Sequence, residues 1–310
     1  SVGDLYRENP TIFSMKNILE TLNNGWRQIA LLAVLLVAMN LGIEKLTDQD
    51  VTGAEILLIR AIFNLLTVLG IAIIWKRNII PSQPKLQFGA FMCLGSSLLL
   101  IFTAYQYISA GSVSTLQRLD IPLLVLLAIF SGTFSAKQFA LAIFALGITA
   151  LLIILNQTTD ENPLGYFLVL SGVFVICLNT LLQKKIAVSE NIETIMVVTS
   201  VSSIFWGAIR CWQAGATFEN IKFPQIAIIF GLSVINFVIF YIVNDLYKKE
   251  SPEFVRYPYL LAAFLTMGME MIIEQKIFSP ILLTGNVVIL IILTFLVRNR
   301  QKSIVEVETH

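Results

Sequence analysis

Along most of the chain apolar residues run for 18 to 23 positions at a stretch, with polar residues gathered between the runs. A helix rising 1.5 Å per residue crosses a hydrocarbon core of about 30 Å in about 20 residues. Punctuation by Pro, Gly and polar side chains divides the pattern into ten segments of that length. They are 26–43, 53–75, 86–107, 111–130, 136–155, 163–183, 192–212, 225–246, 251–272 and 279–297. The connections are short and leave no room for a soluble domain. The shortest, YISAGS between the third and fourth segments, demands a tight antiparallel pair.

Composition agrees with this pattern. Hydrophobic residues make up 56% of the 310 positions and charged ones 13%, against about 25% charged in soluble domains. The mean hydropathy is +0.80. An all-α, polytopic integral membrane protein is expected, with the lipid bilayer as its standing partner. A net charge of +1 carries no footprint for nucleic acid. Cys93, Cys177 and Cys211 lie in or beside apolar runs without CxxC spacing, and the one histidine, His310, is the last residue. Neither a disulfide framework nor a metal site is expected, and no cofactor is. No pair of glycines has GxxxG spacing, so a monomer or weak dimer is expected.

Lysine and arginine set the orientation, because they are retained on the cytoplasmic side. With the N-terminus inside, the inner segments hold 14 of the 21 Lys and Arg, and the outer loops hold 3, Lys45, Lys222 and Lys276. Arg60, Arg118, Arg210 and Arg256 fall within segments. The expected location is the plasma (inner) membrane, multi-pass, with both termini cytoplasmic. Residues 1–25 are polar and form a cytoplasmic N-terminal segment, without the features of a cleavable leader. Met15 opens MKNILETLNN, which has the character of a native start. Residues 298–310 form a cytoplasmic tail.

The two halves of the chain echo each other. AMNLGIEK in the first segment matches CLNTLLQK in the sixth, which aligns Asn40 with Asn179 at a separation of 139. LDIP in the fourth matches VRYP in the ninth at a separation of 136, aligning Asp120 with Arg256 and Pro122 with Pro258. The same separation sets Tyr105 opposite Tyr241. Two five-helix repeats follow, 26–155 and 163–297. Five is odd, so the second repeat enters the membrane from the opposite side, as in transporters whose substrate site lies near the midplane.

LIRAIFNLL, FTAYQYISAGSVSTL, the proline of the fourth segment and AKQFALAIFALGITALLII resemble the EamA-type branch of the drug/metabolite transporter superfamily. PYLLAAFLTMGMEMIIEQKIFSPILLTGNVVILIIL resembles it more loosely. The resemblance covers nearly the whole chain after residue 26. It implies ten helices in two inverted halves that carry small metabolites, often outward, without ATP. Two family features are missing. The fourth segment ends SGTFSAKQ, without the family's Gly-Glu pair, and AMNLG replaces a Trp-Gly pattern in the first. The resemblance therefore implies a divergent member and does not carry a substrate with it.

STLQRLDIPLLVLLAIFSG sets Arg118 and Asp120 deep in a lipid-crossing segment. A charge at the bilayer centre costs about 2.5–3.5 kcal/mol on insertion scales and persists where it faces a cavity or a partner. Residues two apart point to opposite sides of a helix, so Arg118 and Asp120 each need a partner elsewhere. Depth along the helices offers Asp120 two such partners, Arg256 and Arg60. Arg60 is alternatively placed to snorkel toward a membrane surface. Pro122 and Pro258 each deprive a carbonyl of its helical donor, either to line a cavity or to kink a helix for packing. The arginines outnumber Asp120, which suits a substrate bearing a carboxylate or phosphate, with Asp120 available to an amine. Gln117, Asn40, Asn179, Tyr105, Tyr241, Tyr257, Tyr259 and Trp206 are further candidate contacts; for each aromatic the alternative is plain packing. Asp120 and Glu270 are the acids placed to carry a coupling proton.

Other function classes lack their chemistry. There is no GxxxxGK[ST] loop for ATP-driven transport, no nucleophile–base or metal set for an enzyme, and no filter loop for a channel. A secondary transporter of a small zwitterionic or anionic metabolite, such as an amino acid, exporting or exchanging by alternating access, is the leading expectation. Nucleoside- or nucleotide-like cargo, or a non-transporting scaffold or sensor on the same fold, are the alternatives.

Overall fold

The computed structural model describes residues 25–104, 107–108, 113, 116–127, 136–156, 162–219, 221–273, 284 and 287–295, and among them there is no strand. The helices are α1 (Gly25–Thr47), α2 (Gly53–Ile74), α3 (Pro84–Ala104), α4 (Asp120–Leu127), α5 (Ala136–Asn156), α6 (Pro163–Ser189), α7 (Ile192–Ala214), α8 (Phe223–Lys249) and α9 (Pro252–Ile273). A further helical stretch covers 287–295. Six of these, α1, α2, α3, α6, α7 and α8, are long and apolar enough to cross a membrane. The protein is an all-α membrane protein.

The helix ends are set by local chemistry. Thr52 caps α2: its hydroxyl accepts from Glu55 N, and the Glu55 carboxylate accepts from Thr52 N at 2.9 Å. Asn162 caps α6 by accepting from Leu164 N, with Pro163 at the first helical position, where its missing N–H costs nothing. α7 ends at Gly215, whose φ of 63° is the left-handed conformation that lets the last carbonyls be satisfied from Gly215 N and Ala216 N.

The loops gather at two ends of the bundle. At one end Glu55 accepts from Phe218 N at 3.0 Å and Gln225 donates to Gln49. At the other, Glu190 accepts from Gln83 N, the Thr194 hydroxyl donates to Asn78 O, and Lys184 donates to Glu250 O at 2.6 Å. Lipid offers apolar side chains no gain on burial against protein, so helices associate by close packing through small residues. Gly165 and Gly172 of α6 meet Ile108 and Ile101 on the α3 side; a Cβ at Gly172 would lie 2.8 Å from Ile101. Gly207 of α7 lies against Leu58 of α2, and Gly42 of α1 against Leu232 of α8. The most extensive pairings are α3 with α6, α2 with α7 and α1 with α9. Outward, Ile73, Phe88, Phe167, Trp212, Phe223 and Ile272 are well exposed. Such an apolar exterior fits a hydrocarbon surround.

Span four is not one helix. The chain turns at Arg118 and Leu119, and α4 begins at Asp120. Pro122 therefore sits in a first turn, where no intrahelical donor is lost. Pro258, expected to break its helix likewise, instead lies inside a continuous α9. A single missing bond within 22 residues is absorbed there without restarting the helix.

Candidate functional site

Asp120 and Arg256 meet. Arg256 Nη2 lies 2.6 Å and Nε 2.8 Å from the same carboxylate oxygen, Asp120 Oδ2. As the first residue of α4, Asp120 has its charge beside the positive end of that helix. The guanidinium of Arg256 lies over the ring of Tyr259, one turn along α9, with its carbon 4.4 Å from the ring centre. The Cys177 thiol donates to the backbone oxygen of Asp120 at 3.4 Å, tying α6 to the start of α4. The pair joins positions that are 136 apart, the separation at which LDIP and VRYP align.

Beside this pair is a chamber of ≈ 240 Å³ lined by α1, α2, α3, α7, α8 and α9. Its polar wall is Arg60 and Asn64 of α2, Thr199, Ser200 and Ser203 of α7, Asn236 of α8, and Arg256 with Tyr259 of α9. Leu36, Met39, Leu57, Leu94, Leu98, Ile239, Phe240 and Val243 supply most of the apolar wall. Arg60, Ala61 and Asn64 stand 139 positions before Thr199, Ser200 and Ser203, so α2 and α7 present matched faces to it.

The hydroxyls on this wall differ from others in the bundle. Thr67, Ser96, Thr103, Thr149, Thr180 and Thr294 all donate to the carbonyl four residues back, the usual way a helix satisfies a hydroxyl without water. Thr199 and Ser200, 8% and 6% exposed, and Asn236, 7% exposed, make no side-chain hydrogen bond among the described residues. Buried polar groups are normally bonded, and these face the chamber instead. Asn64 accepts from Ser233 through Oδ1 at 2.8 Å, which leaves its amide nitrogen for the chamber.

The candidate residues are therefore divided. Arg256 is on the wall; Asp120 stands behind it, buried. Of the two partners considered for Asp120, Arg256 takes the position. The Arg60–Asp120 pair is not formed, because Arg60 turns into the chamber with Nη1 3.4 Å from Met39 Sδ. Arg118 and Gln117 lie half-buried just before α4, off the chamber wall. Asn40 donates to Thr266 at 3.2 Å, an interhelical bond from α1 to α9. Tyr257 shares a hydrogen bond of 2.7 Å with Thr294 and packs edge-on to Trp26. Trp206 sits on Gly95, where a Cβ would be 1.7 Å from the indole, and its Nε1 has no partner among the described residues; neither does Asn179 Oδ1. Tyr241 is off the wall. Tyr105 and the side chain of Glu270 lie outside the described residues.

Asn64, Thr199, Ser200, Ser203 and Asn236 were not singled out in the sequence. The signal was available in part: carrying the 139-residue separation of Asn40 and Asn179 into the second and seventh segments aligns Arg60 and Asn64 with the hydroxyls of TSVSS.

No protein-family profile matches the chain, and no curated protein does. Solved structures do, 28 chains in all. One crystal structure superposes with a TM-score of 0.66 over 87% of this chain and 96% of its own, at 14% identity. At that identity the likeness is one of fold alone.

Proposed function

We propose that this chain is a secondary transporter of a small charged metabolite, working by alternating access of two inverted five-helix halves around the chamber. The observation that carries the proposal is the chamber wall. Buried polar side chains without a partner among the described residues, and a guanidinium beside them, persist in an apolar bundle where they meet a polar cargo. The helix pairings support the repeat. Exchanging the halves turns α3 with α6 into α8 with α1, α3 with α7 into α8 with α2, and α4 with α6 into α9 with α1; all six pairings occur. The Asp120–Arg256 contact supports it as well, since equivalent positions touch only near the axis that relates the halves. The EamA-type resemblance is in keeping with the same architecture. At ≈ 240 Å³, below the range of about 300–1,000 Å³ for drug-sized ligands, the chamber favours a compact metabolite over a nucleotide.

The test is flux. Protein reconstituted in liposomes should exchange a preloaded small metabolite for the same labelled compound outside, and Ser200→Trp, which fills the chamber, should abolish the exchange while preserving a monodisperse particle. Exchange that survives Ser200→Trp, or its absence across a panel of small charged metabolites, would overturn the proposal.

A further inference from the structure

The chamber wall is not electrically neutral, and the imbalance narrows the cargo. This step rests on the transport proposal above. The charge of Arg256 is already met by Asp120, with two nitrogens on one oxygen. The charge of Arg60 is not met: among the described residues no carboxylate lies within 4.0 Å of it, and its one polar contact is the Met39 sulfur. Among the described residues no aspartate or glutamate lines the chamber. One turn along α2, Asn64 is 5% exposed and lines the same chamber, its Oδ1 engaged by Ser233 and its amide nitrogen without a bond among the described residues. An arginine and an amide N–H₂ on one helix face form a donor pair that suits an oxyanion.

We infer that the chamber takes a compact monocarboxylate without an ammonium group, anchored by Arg60 and Asn64 and carrying its apolar body against Leu94, Leu98, Ile239 and Phe240. One unmet positive charge calls for one negative charge. A phosphate monoester brings about −1.5 to −2 at pH 7 and leaves an excess. A zwitterion brings its own cation to a wall without an acid among the described residues, and the Tyr259 face that would otherwise receive an ammonium is occupied by Arg256. A buried charge left without a partner is costly.

Four probes on one skeleton separate the possibilities: 3-phenylpropanoate, phenylalanine, 2-phenylethylamine and 3-phenylpropanamide. Their affinities for the purified full-length protein are read by thermal stabilisation and calorimetry. The propanoate should bind at least about 10-fold tighter than the other three, and Arg60→Gln should weaken it by about 10- to 100-fold, the worth of a charge-assisted hydrogen bond, while Arg60→Lys retains part of the affinity. Tighter or equal binding of phenylalanine overturns the inference, as does unchanged propanoate affinity in Arg60→Gln or no binding of any probe at millimolar concentration. The comparison on the unaltered protein stands even if Arg60→Gln fails to fold. Flux in liposomes is read separately. Phenylalanine flux without propanoate flux sinks the monocarboxylate and leaves transport standing, whereas propanoate binding without flux of any probe sinks transport and leaves the site.

Discussion

Asp120→Asn and Arg256→Leu each break the same ion pair, yet the geometry assigns them different costs. In Asp120→Asn the guanidinium keeps its place over Tyr259, and with its side chain 19% exposed beside the chamber it can recruit water. The amide oxygen still accepts from the charged guanidinium, so each of the two bonds loses about 0.5–1 kcal/mol within the range of about 1.5–3 kcal/mol for bonds to charged groups. A destabilisation of about 1–2 kcal/mol is expected. In Arg256→Leu the carboxylate is stranded with 8% side-chain exposure; the Cys177 thiol serves the backbone oxygen of Asp120 and does nothing for the charge. Removing one partner of a buried pair costs about 3–5 kcal/mol. The double variant Asp120→Leu/Arg256→Leu leaves no stranded charge, and should recover most of the Arg256→Leu loss because apolar replacement of a whole buried pair is often neutral. Thermal unfolding in a single detergent, followed by intrinsic tryptophan fluorescence, gives the order of the three. Asp120→Asn costing as much as Arg256→Leu, or a double variant costing the sum of the singles, would refute the reasoning.

Gly95→Ala sets a methyl group where the Trp206 indole lies, 1.7 Å away; a loss of about 1–3 kcal/mol is expected from overpacking, relieved in a Trp206→Leu background, with unfolding temperature as the readout. Glu55→Ala removes the carboxylate that accepts from Thr52 N and Phe218 N; losing this cap should cost about 1–2 kcal/mol and speed hydrogen exchange at residues 216–219. If the positive-inside orientation holds, Lys222→Cys in a background without native cysteines should react with a membrane-impermeant maleimide in intact cells, and Lys249→Cys should react only after lysis.

The helices were legible because lipid enforces them. A span must satisfy its backbone internally over about 20 residues, and the apolar runs mark α2 and α7 to within two residues of their observed ends. The ion pair was half-legible. Depth along the helices gave Asp120 two arginines, and only the rotation of α2, which turns Arg60 away toward Met39, decides between them. The chamber was least legible. Ser, Thr and Asn in a membrane helix usually bond back to their own backbone, so Thr199 and Ser200 read like Thr180 or Thr103 until three-dimensional packing shows which of them lack that bond.

On the proposal that the chain is built of two inverted halves, the pairing of Asp120 with Arg256 also accounts for where those halves have diverged. Across an axis relating equivalent positions, a residue faces its own counterpart. Two arginines or two aspartates meeting there would repel in a medium that screens charge poorly, so an ionisable position at the axis must become complementary, as LDIP and VRYP have done. Away from the axis the constraint lapses. Asn40 and Asn179 remain identical, and Asn40 finds a different partner, Thr266, on a neighbouring helix. The chamber follows the same rule on a finer scale: the cation at Arg60 is matched on α7 by the hydroxyl of Thr199, and an arginine at position 199 would place a second unmet charge on the wall. Thr199→Arg should therefore impair folding or binding far more than Thr199→Val. Equal effects of the two on thermal stability and propanoate affinity would remove the electrostatic reason for the asymmetry.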